Sequence, residues 1–273
     1  MTRSLSWFGI FSVLAALVFL YLPIVVLVVY SFNESEFVTL WSGFSLRWYR
    51  ALFQNEAYWI AGWVTLKIAF VSSSAATVLG VMAACVLTRL RRFPGRSLFA
   101  GLTVAPMVLP EVITGLALLL LFIAIGVDRG FLTVVIAHTT FAMCFVSVVV
   151  SARMAEFDMS VEEAARDLGA GPVSAFFLAT LPVILPAVVS GFLLAFTISL
   201  DSLVLSSFTT GPGTTTLPMR VYSEVRRGIR PEINALSTII VVLVTVATIA
   251  VSLHTKRAAE RRRREEQLAE ADS

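Results

Sequence analysis

Charge is scarce in this chain. Only 14% of its 273 residues are Asp, Glu, Lys or Arg, against 58% that are hydrophobic. A soluble domain rarely exceeds about half apolar residues, so this excess calls for an apolar solvent, and the bilayer supplies one. Cysteine and histidine are scarcer still, at two each. Cys85 and Cys144 both fall inside apolar runs. That excludes a disulfide framework and zinc-type spacing, and leaves both as small buried residues. His138 and His254 stand apart from each other and from paired acids, so the catalytic cluster of a polytopic membrane enzyme is missing. His138 is expected to be a buried, hydrogen-bonded side chain. No Gly-x-x-x-x-Gly-Lys-Ser/Thr loop occurs, so this chain does not bind ATP in that manner. Internal repeats are also lacking, which weighs against a stand-alone secondary transporter.

What is present is a succession of apolar runs. A spanning helix needs about 20 mostly apolar residues. Six stretches qualify, over 7–30, 63–87, 98–125, 131–151, 182–205 and 235–254. The expected fold is therefore an all-α integral membrane domain of six transmembrane helices over 1–255, with a charged tail over 256–273. The first run is too long for a signal-peptide core and lacks a small-residue cleavage site, so it is expected to stay as a helix. Trp41, Trp48 and Tyr49, between the first two runs, suit a membrane–water interface. Lys67 is placed to snorkel toward the headgroups.

The net charge of +3 carries no nucleic-acid signal, because the bases sit in short loops and in the tail. They set orientation instead. Arg3, Arg89, Arg91, Arg92, Arg96, Arg153, Arg166 and the tail bases hug the helix ends on one side, which is read as cytoplasmic. Both termini then face the cytoplasm. Arg226, Arg227 and Arg230 run against this bias, in a longer loop where the rule weakens.

The loop over 153–181 carries the strongest local signal. Ser160 with Glu163 forms a capping box, Glu162 and Glu163 favour the positive end of a helix dipole, Gly169 is placed to end the helix in the left-handed conformation, and Pro172 stops continuation. Val161, Ala164, Ala165 and Leu168 fall on one shallow face. A second short helix is expected over 173–179, before Leu181-Pro182 opens the next span. A capped helix of this kind either docks into a groove on a soluble partner or lies on the membrane surface; its periodicity favours neither.

Glu163-Ala164-Ala165, then Gly169, then Leu181-Pro182 resembles the EAA loop of permeases in binding-protein-dependent ABC importers. That family prefers an isoleucine-like residue where this chain has Ala179. The resemblance implies a type I importer permease fold (MetI-like) in which Glu163, Ala164, Ala165, Leu168, Gly169, Leu181 and Pro182 couple the chain to a cytoplasmic ATPase. It also implies a machine of two homologous permeases, two ATPases and a periplasmic binding protein in the inner membrane. ATP and Mg would be bound by the ATPases, and no cofactor, metal or catalytic residue is expected here. Phe32-Asn33, the run from Leu109-Pro110-Glu111 to Gly115, and the run from Phe208 through Gly211-Pro212-Gly213 to Leu217-Pro218 extend the likeness over nearly the whole chain. They resemble permeases of polyamine importers, the putrescine type first and the spermidine/putrescine type next.

Two acids lie within apolar runs. An ionisable group at membrane depth is a functional-site hypothesis by default. On a continuous helix at 1.5 Å per residue, Glu111 would stand roughly 20 Å from the cytoplasmic surface, and Asp201 roughly 28 Å. Both are expected to face a central pathway, where carboxylates would replace the water lost by a diammonium substrate. The polyamine permeases that this chain resembles carry acids near these positions, usually Asp in place of Glu111 and a second acid in place of Ser202. Each acid also has a plain alternative: Glu111 favours the helix dipole after Pro110, and Asp201 caps a following helix. Trp41 and Tyr222 offer cation–π contact, or interfacial anchoring. Pro106 and Pro110 interrupt the third run, and broken helices are tolerated at depth only where they line a cavity or pack on protein.

Overall fold

The computed structural model describes residues 7–37, 40–90, 92–228, 231–246, 248–249 and 253. The tail over 256–273, together with Arg3, Arg91, Arg230 and His254, lies outside the described residues. The described chain is helical throughout, with one isolated bridge between Asn33 and Phe44. It falls into two compact units, one formed by residues up to Glu56 with those from Glu224 onward, the other by Ala57–Ser223.

In the first unit, α1 (Trp7–Tyr30) has no buried residue and exposes side chains such as Phe8, Phe11 and Phe19 along its length. Such a surface is stable only against lipid or another apolar surface. Asn33 then folds the chain back. Its amide donates to the Leu40 carbonyl at 2.7 Å and accepts from the Ser42 amide at 2.9 Å. Trp48, on α2 (Arg47–Gln54), is buried and donates its indole N–H to the Asn33 carbonyl at 2.8 Å. Trp48 is thus an internal strut of this turn and not the interfacial anchor its composition suggested. The last apolar helix, α12 (Pro231–Val246), starts before the expected 235, and most of the remainder of that span lies outside the described residues.

The second unit is built around α6 (Phe131–Ala155), which is buried along most of its length. It packs between α3 (Glu56–Arg89) and α9 (Leu181–Asp201), where Ala76, Ala84, Ala142, Val146, Val150, Ile184 and Ala195 form one core cluster. Small residues let these backbones approach. A Cβ on Gly80 of α3 would lie 2.7 Å from the Cβ of Val146, and one on Gly191 of α9 would lie 3.1 Å from its Cγ1. Val146 therefore sits in a notch cut by glycines on both sides.

The second and fourth runs extend past their expected 63–87 and 131–151, as Glu56–Arg89 and Phe131–Ala155, and three other segments change form. The third run is two helices, α4 (Arg96–Val108) and α5 (Glu111–Ala124), bent by 112° at their junction. Leu109 is extended, as a residue before proline prefers, and Pro110 has no N–H with which to continue the ladder. Pro106 is accommodated inside α4. The straight-helix depth assigned to Glu111 therefore does not hold. The fifth run ends at Asp201; Ser202 is extended, and α10 (Val204–Thr209) is separate. The short helix expected over 173–179 is α8 (Pro172–Ala175) followed by a π turn over Phe176–Thr180 that leads directly into α9.

Among the described residues, four helices are long and apolar enough to cross a membrane, and the bent α4–α5 pair would make a fifth. Shorter still, α12 is a further apolar helix.

Candidate functional site

Glu111 opens α5 immediately after Pro110. Its Oε1 accepts a hydrogen bond from the Ser202 hydroxyl at 2.8 Å and a longer one from the Leu205 amide at 3.4 Å. Among the described residues its Oε2 takes no hydrogen bond. The breaks after α4 and after α9 therefore meet, and the carboxylate is anchored by one oxygen with the other left over. Asp201, beside Ser202, is exposed.

Ser202 is the end of a buried polar chain. Its carbonyl accepts from the Ser206 hydroxyl at 2.8 Å. Ser206 Oγ is 3.0 Å from His138 Nε2, and His138 Nδ1 is 2.7 Å from Ser199 Oγ. Ser199 Oγ is in turn 3.0 Å from Ser72 Oγ on α3. Because the Ser206 proton is already committed to Ser202, His138 must donate from Nε2. The chain joins α3, α6, α9 and α10 to the Glu111 break, and His138 is the buried hydrogen-bonded residue expected of it. Replacing His138 by alanine takes one hydrogen-bond partner from each of Ser199 and Ser206 and leaves a cavity between them, and should cost about 1–3 kcal/mol, read as a lower midpoint of SDS-induced unfolding.

The remaining pathway candidates stand on other segments. Trp41 belongs to the first unit, where it stands edge-on to Tyr30 with ring centroids 6.2 Å apart. Tyr222 lies on α11 (Leu217–Arg227) and is 44% exposed.

The EAA-like segment forms α7 (Ser160–Asp167). Its start is as expected, but the cap is not. Ser160 is already helical, no side-chain capping bond is made at Met159, and the Asp158 carboxylate accepts from the Ser160 amide at 3.0 Å. Asp158 stands two residues upstream, within reach of that amide, so it takes the role that Ser160 would otherwise fill. Its hydrogen bonds from the Ser160 backbone and side chain hold its carboxyl below the usual carboxylate range. Gly169 ends the helix at φ +92°, and the Ala170 amide returns to the Ala165 carbonyl at 3.1 Å. This is the left-handed closure that glycine permits.

Val161, Glu163, Ala164 and Leu168 are all exposed, with Leu168 at 90%. Ala165 is half-buried. Leu181 and Pro182 begin α9, where Leu181 packs against the α6 core. The buried acid of α7 is the neighbouring Glu162, which pairs with Arg89 at the end of α3. Sequence reasoning used Arg89 only for orientation and did not separate Glu162 from Glu163. Ser199, Ser202 and Ser206 were also missed as a set, although three serines at helical spacing near a span with a histidine were a usable signal.

Helices long and apolar enough to cross a membrane, two of them broken where Glu111 meets Ser202, define a membrane-embedded helical protein. The profile of the binding-protein-dependent transport system inner membrane component family matches residues 76–264, and the chain belongs to that family. It is 54% identical over 228 residues to the putrescine transport system permease protein PotI of Escherichia coli K12, covering 81% of each chain. It is 41% identical to the spermidine/putrescine transport system permease protein PotC of Haemophilus influenzae, over 88% of this chain and 93% of that one. A bacterial ABC transporter that imports the acidic polysaccharide alginate shares the fold at a TM-score of 0.67 and 15% identity, over 93% of this chain and 99% of that one. The fold is that of ABC importer permeases.

Proposed function

We propose that this chain is the membrane-spanning subunit of an ATP-driven importer that carries a polyamine, putrescine first and spermidine next, from periplasm to cytoplasm by alternating access. It pairs with a homologous permease, two cytoplasmic ATPases and a periplasmic binding protein, with both of its termini in the cytoplasm. ATP and Mg are held by the ATPases, and this chain contributes no catalytic group.

The observation that carries the cargo is Glu111. Its carboxylate stands at a helix break, anchored through Oε1 by Ser202 and Leu205. A carboxylate in low dielectric attracts an ammonium far more strongly than one in water. The opposite charge is favoured and anions are repelled, which speaks against a sulfate-type cargo. Asp201, exposed one residue from Ser202, adds a second negative charge next to the end of α9. Trp41 and Tyr222 remain candidates for contact with the amine along its route.

Coupling rests on α7. Val161, Ala164 and Leu168 present an exposed apolar face. A groove on an ATPase would bury that face. Closure of two ATPases on ATP would push α7 and shift the permease between inward- and outward-facing states, each stabilised by its own contacts.

The decisive experiment is copurification from membranes followed by uptake in vesicles with putrescine, spermidine or sulfate outside. ATP-dependent accumulation of putrescine above spermidine, with no sulfate uptake, is the expected result. A crosslinker at Leu168 should capture the ATPase. Amine uptake in vesicles that lack any ATPase would instead identify a secondary transporter.

A further inference from the structure

The described part of α7 buries one side chain, Glu162, at 5% exposure. Its two carboxylate oxygens face the two terminal nitrogens of Arg89, the last residue of α3. Thr180 closes the group, accepting from Arg89 Nη2 at 2.8 Å and donating to Glu162 Oε2 at 2.6 Å. Thr180 is fully buried and ends the π turn that leads into α9. The Phe176 ring, at the start of that turn, lies 5.3 Å from the Arg89 guanidinium carbon.

This cluster differs from an ordinary surface ion pair in two respects. A guanidinium that meets a carboxylate with two parallel bonds resists rotation as well as separation, which a point charge does not. It is also shared by three elements, because Thr180 bonds to both ions. Removing either ion leaves the other charge without its counter-ion, and removing Thr180 takes one hydrogen bond from each ion and cuts the link to α9. The π turn beside it is an irregular segment of the kind that marks hinges. Elsewhere α7 shows apolar and charged side chains outward.

We propose that Arg89, Glu162 and Thr180 are positioning residues for energy coupling: their cluster is the joint that makes α3 and α9 follow α7 when an ATPase moves it. This deepens the transport reading above and rests on it. A loose joint would let the ATPases move α7 without moving the permease helices. Hydrolysis would then continue and transport would not.

The test uses the whole complex in proteoliposomes, with its ATPases and binding protein, carrying Arg89→Lys, Glu162→Gln, Thr180→Val or the exchange of Arg89→Glu with Glu162→Arg. The readout is putrescine taken up per ATP hydrolysed. Each single variant should assemble, hydrolyse ATP within about twofold of the parent, and lose about tenfold or more in uptake per ATP. The exchange should recover a substantial part of that loss. Uptake per ATP within about twofold of the parent in assembled Arg89→Lys and Thr180→Val complexes would overturn the proposal. Loss of assembly in every variant would also overturn it, and would make the cluster a folding staple.

A second measurement is independent of cargo. Spin labels at the exposed positions Asp167 and Leu90, which lie outside the apolar docking face, should keep their separation on ATP addition in the parent and change it in the variants. A parent whose labels behave so, but which imports another solute, would overturn the polyamine reading and keep the joint. Labels that change separation equally in parent and variants would sink the joint whatever the cargo.

Discussion

Replacing Glu111 by glutamine should abolish ATP-driven putrescine uptake in a complex that still assembles. Glutamine has nearly the same shape, and its amide oxygen can still accept from Ser202 and Leu205, so the junction of the two breaks is kept. What disappears is the charge. Loss of one partner from a desolvated ion pair costs about 2–4 kcal/mol. That weakens binding of an ammonium by roughly 30- to 1000-fold. Concentration-dependent uptake of labelled putrescine reads this, with size-exclusion chromatography as the check on assembly. Asp201→Asn should cost less, about tenfold at most, because Asp201 is exposed and its field is screened. A Glu111→Gln complex with the parent's KM and maximal rate would remove the carboxylate from the pathway.

Gly211→Ala should yield almost no folded protein. A Cβ on Gly211 would fall on the carbonyl carbon and oxygen of Arg129, far inside van der Waals contact, and both are backbone atoms that cannot turn aside. The contact lies where two segments are tied together. Thr133 Oγ1 donates to the Thr209 carbonyl at 2.8 Å and accepts from the Gly130 amide at 2.8 Å. Thr214 closes the other side, with its hydroxyl 3.1 Å from the Gly211 amide nitrogen and 2.8 Å from the Gly211 carbonyl. Forcing a methyl group into this crossing should cost at least about 3 kcal/mol. Gly62→Ala is the matched control. Gly62 lies within α3 with nothing within 4 Å of the added carbon, so alanine there should be neutral or slightly stabilising. Membrane yield and monodispersity in detergent compare the two. Equal yields would show that the Arg129–Gly211 crossing gives way easily.

The two results bear on different parts of the chain's legibility. The Gly-Pro-Gly run around Gly211 was visible as a family resemblance, but its physical reason was not, because Arg129 is far away in sequence. Phe32-Asn33 behaved alike: the motif was readable, whereas the role of Asn33 as clamp for Leu40, Ser42 and Trp48 depends on the folded turn. Glu111 and Asp201 were singled out from position alone. The structure separates them, giving Glu111 two donors and leaving Asp201 exposed. Gly101 has open space around it, while Gly80 and Gly191 make the close approach to Val146. A glycine in an apolar helix signals that contact is permitted without saying which face receives it.

Composition and short-range order determined much about this protein. An apolar excess can be dissolved only in a bilayer, and helices there satisfy their own backbone bonds, so the membrane class and most helical stretches follow from sequence. The stop of α7 at Gly169 follows too, because a glycine closure involves residues within a turn of one another; its start falls where expected, with Asp158 and not Ser160 accepting the bond. Tertiary structure alone decided that Glu162 and not Glu163 is buried, since adjacent residues on a helix point about 100° apart and only packing selects between them. It also decided the 112° bend at Pro110 and brought Ser202 to Glu111 across 91 residues. Those contacts arise from the packing of distant segments, and no local pattern encodes which segments meet.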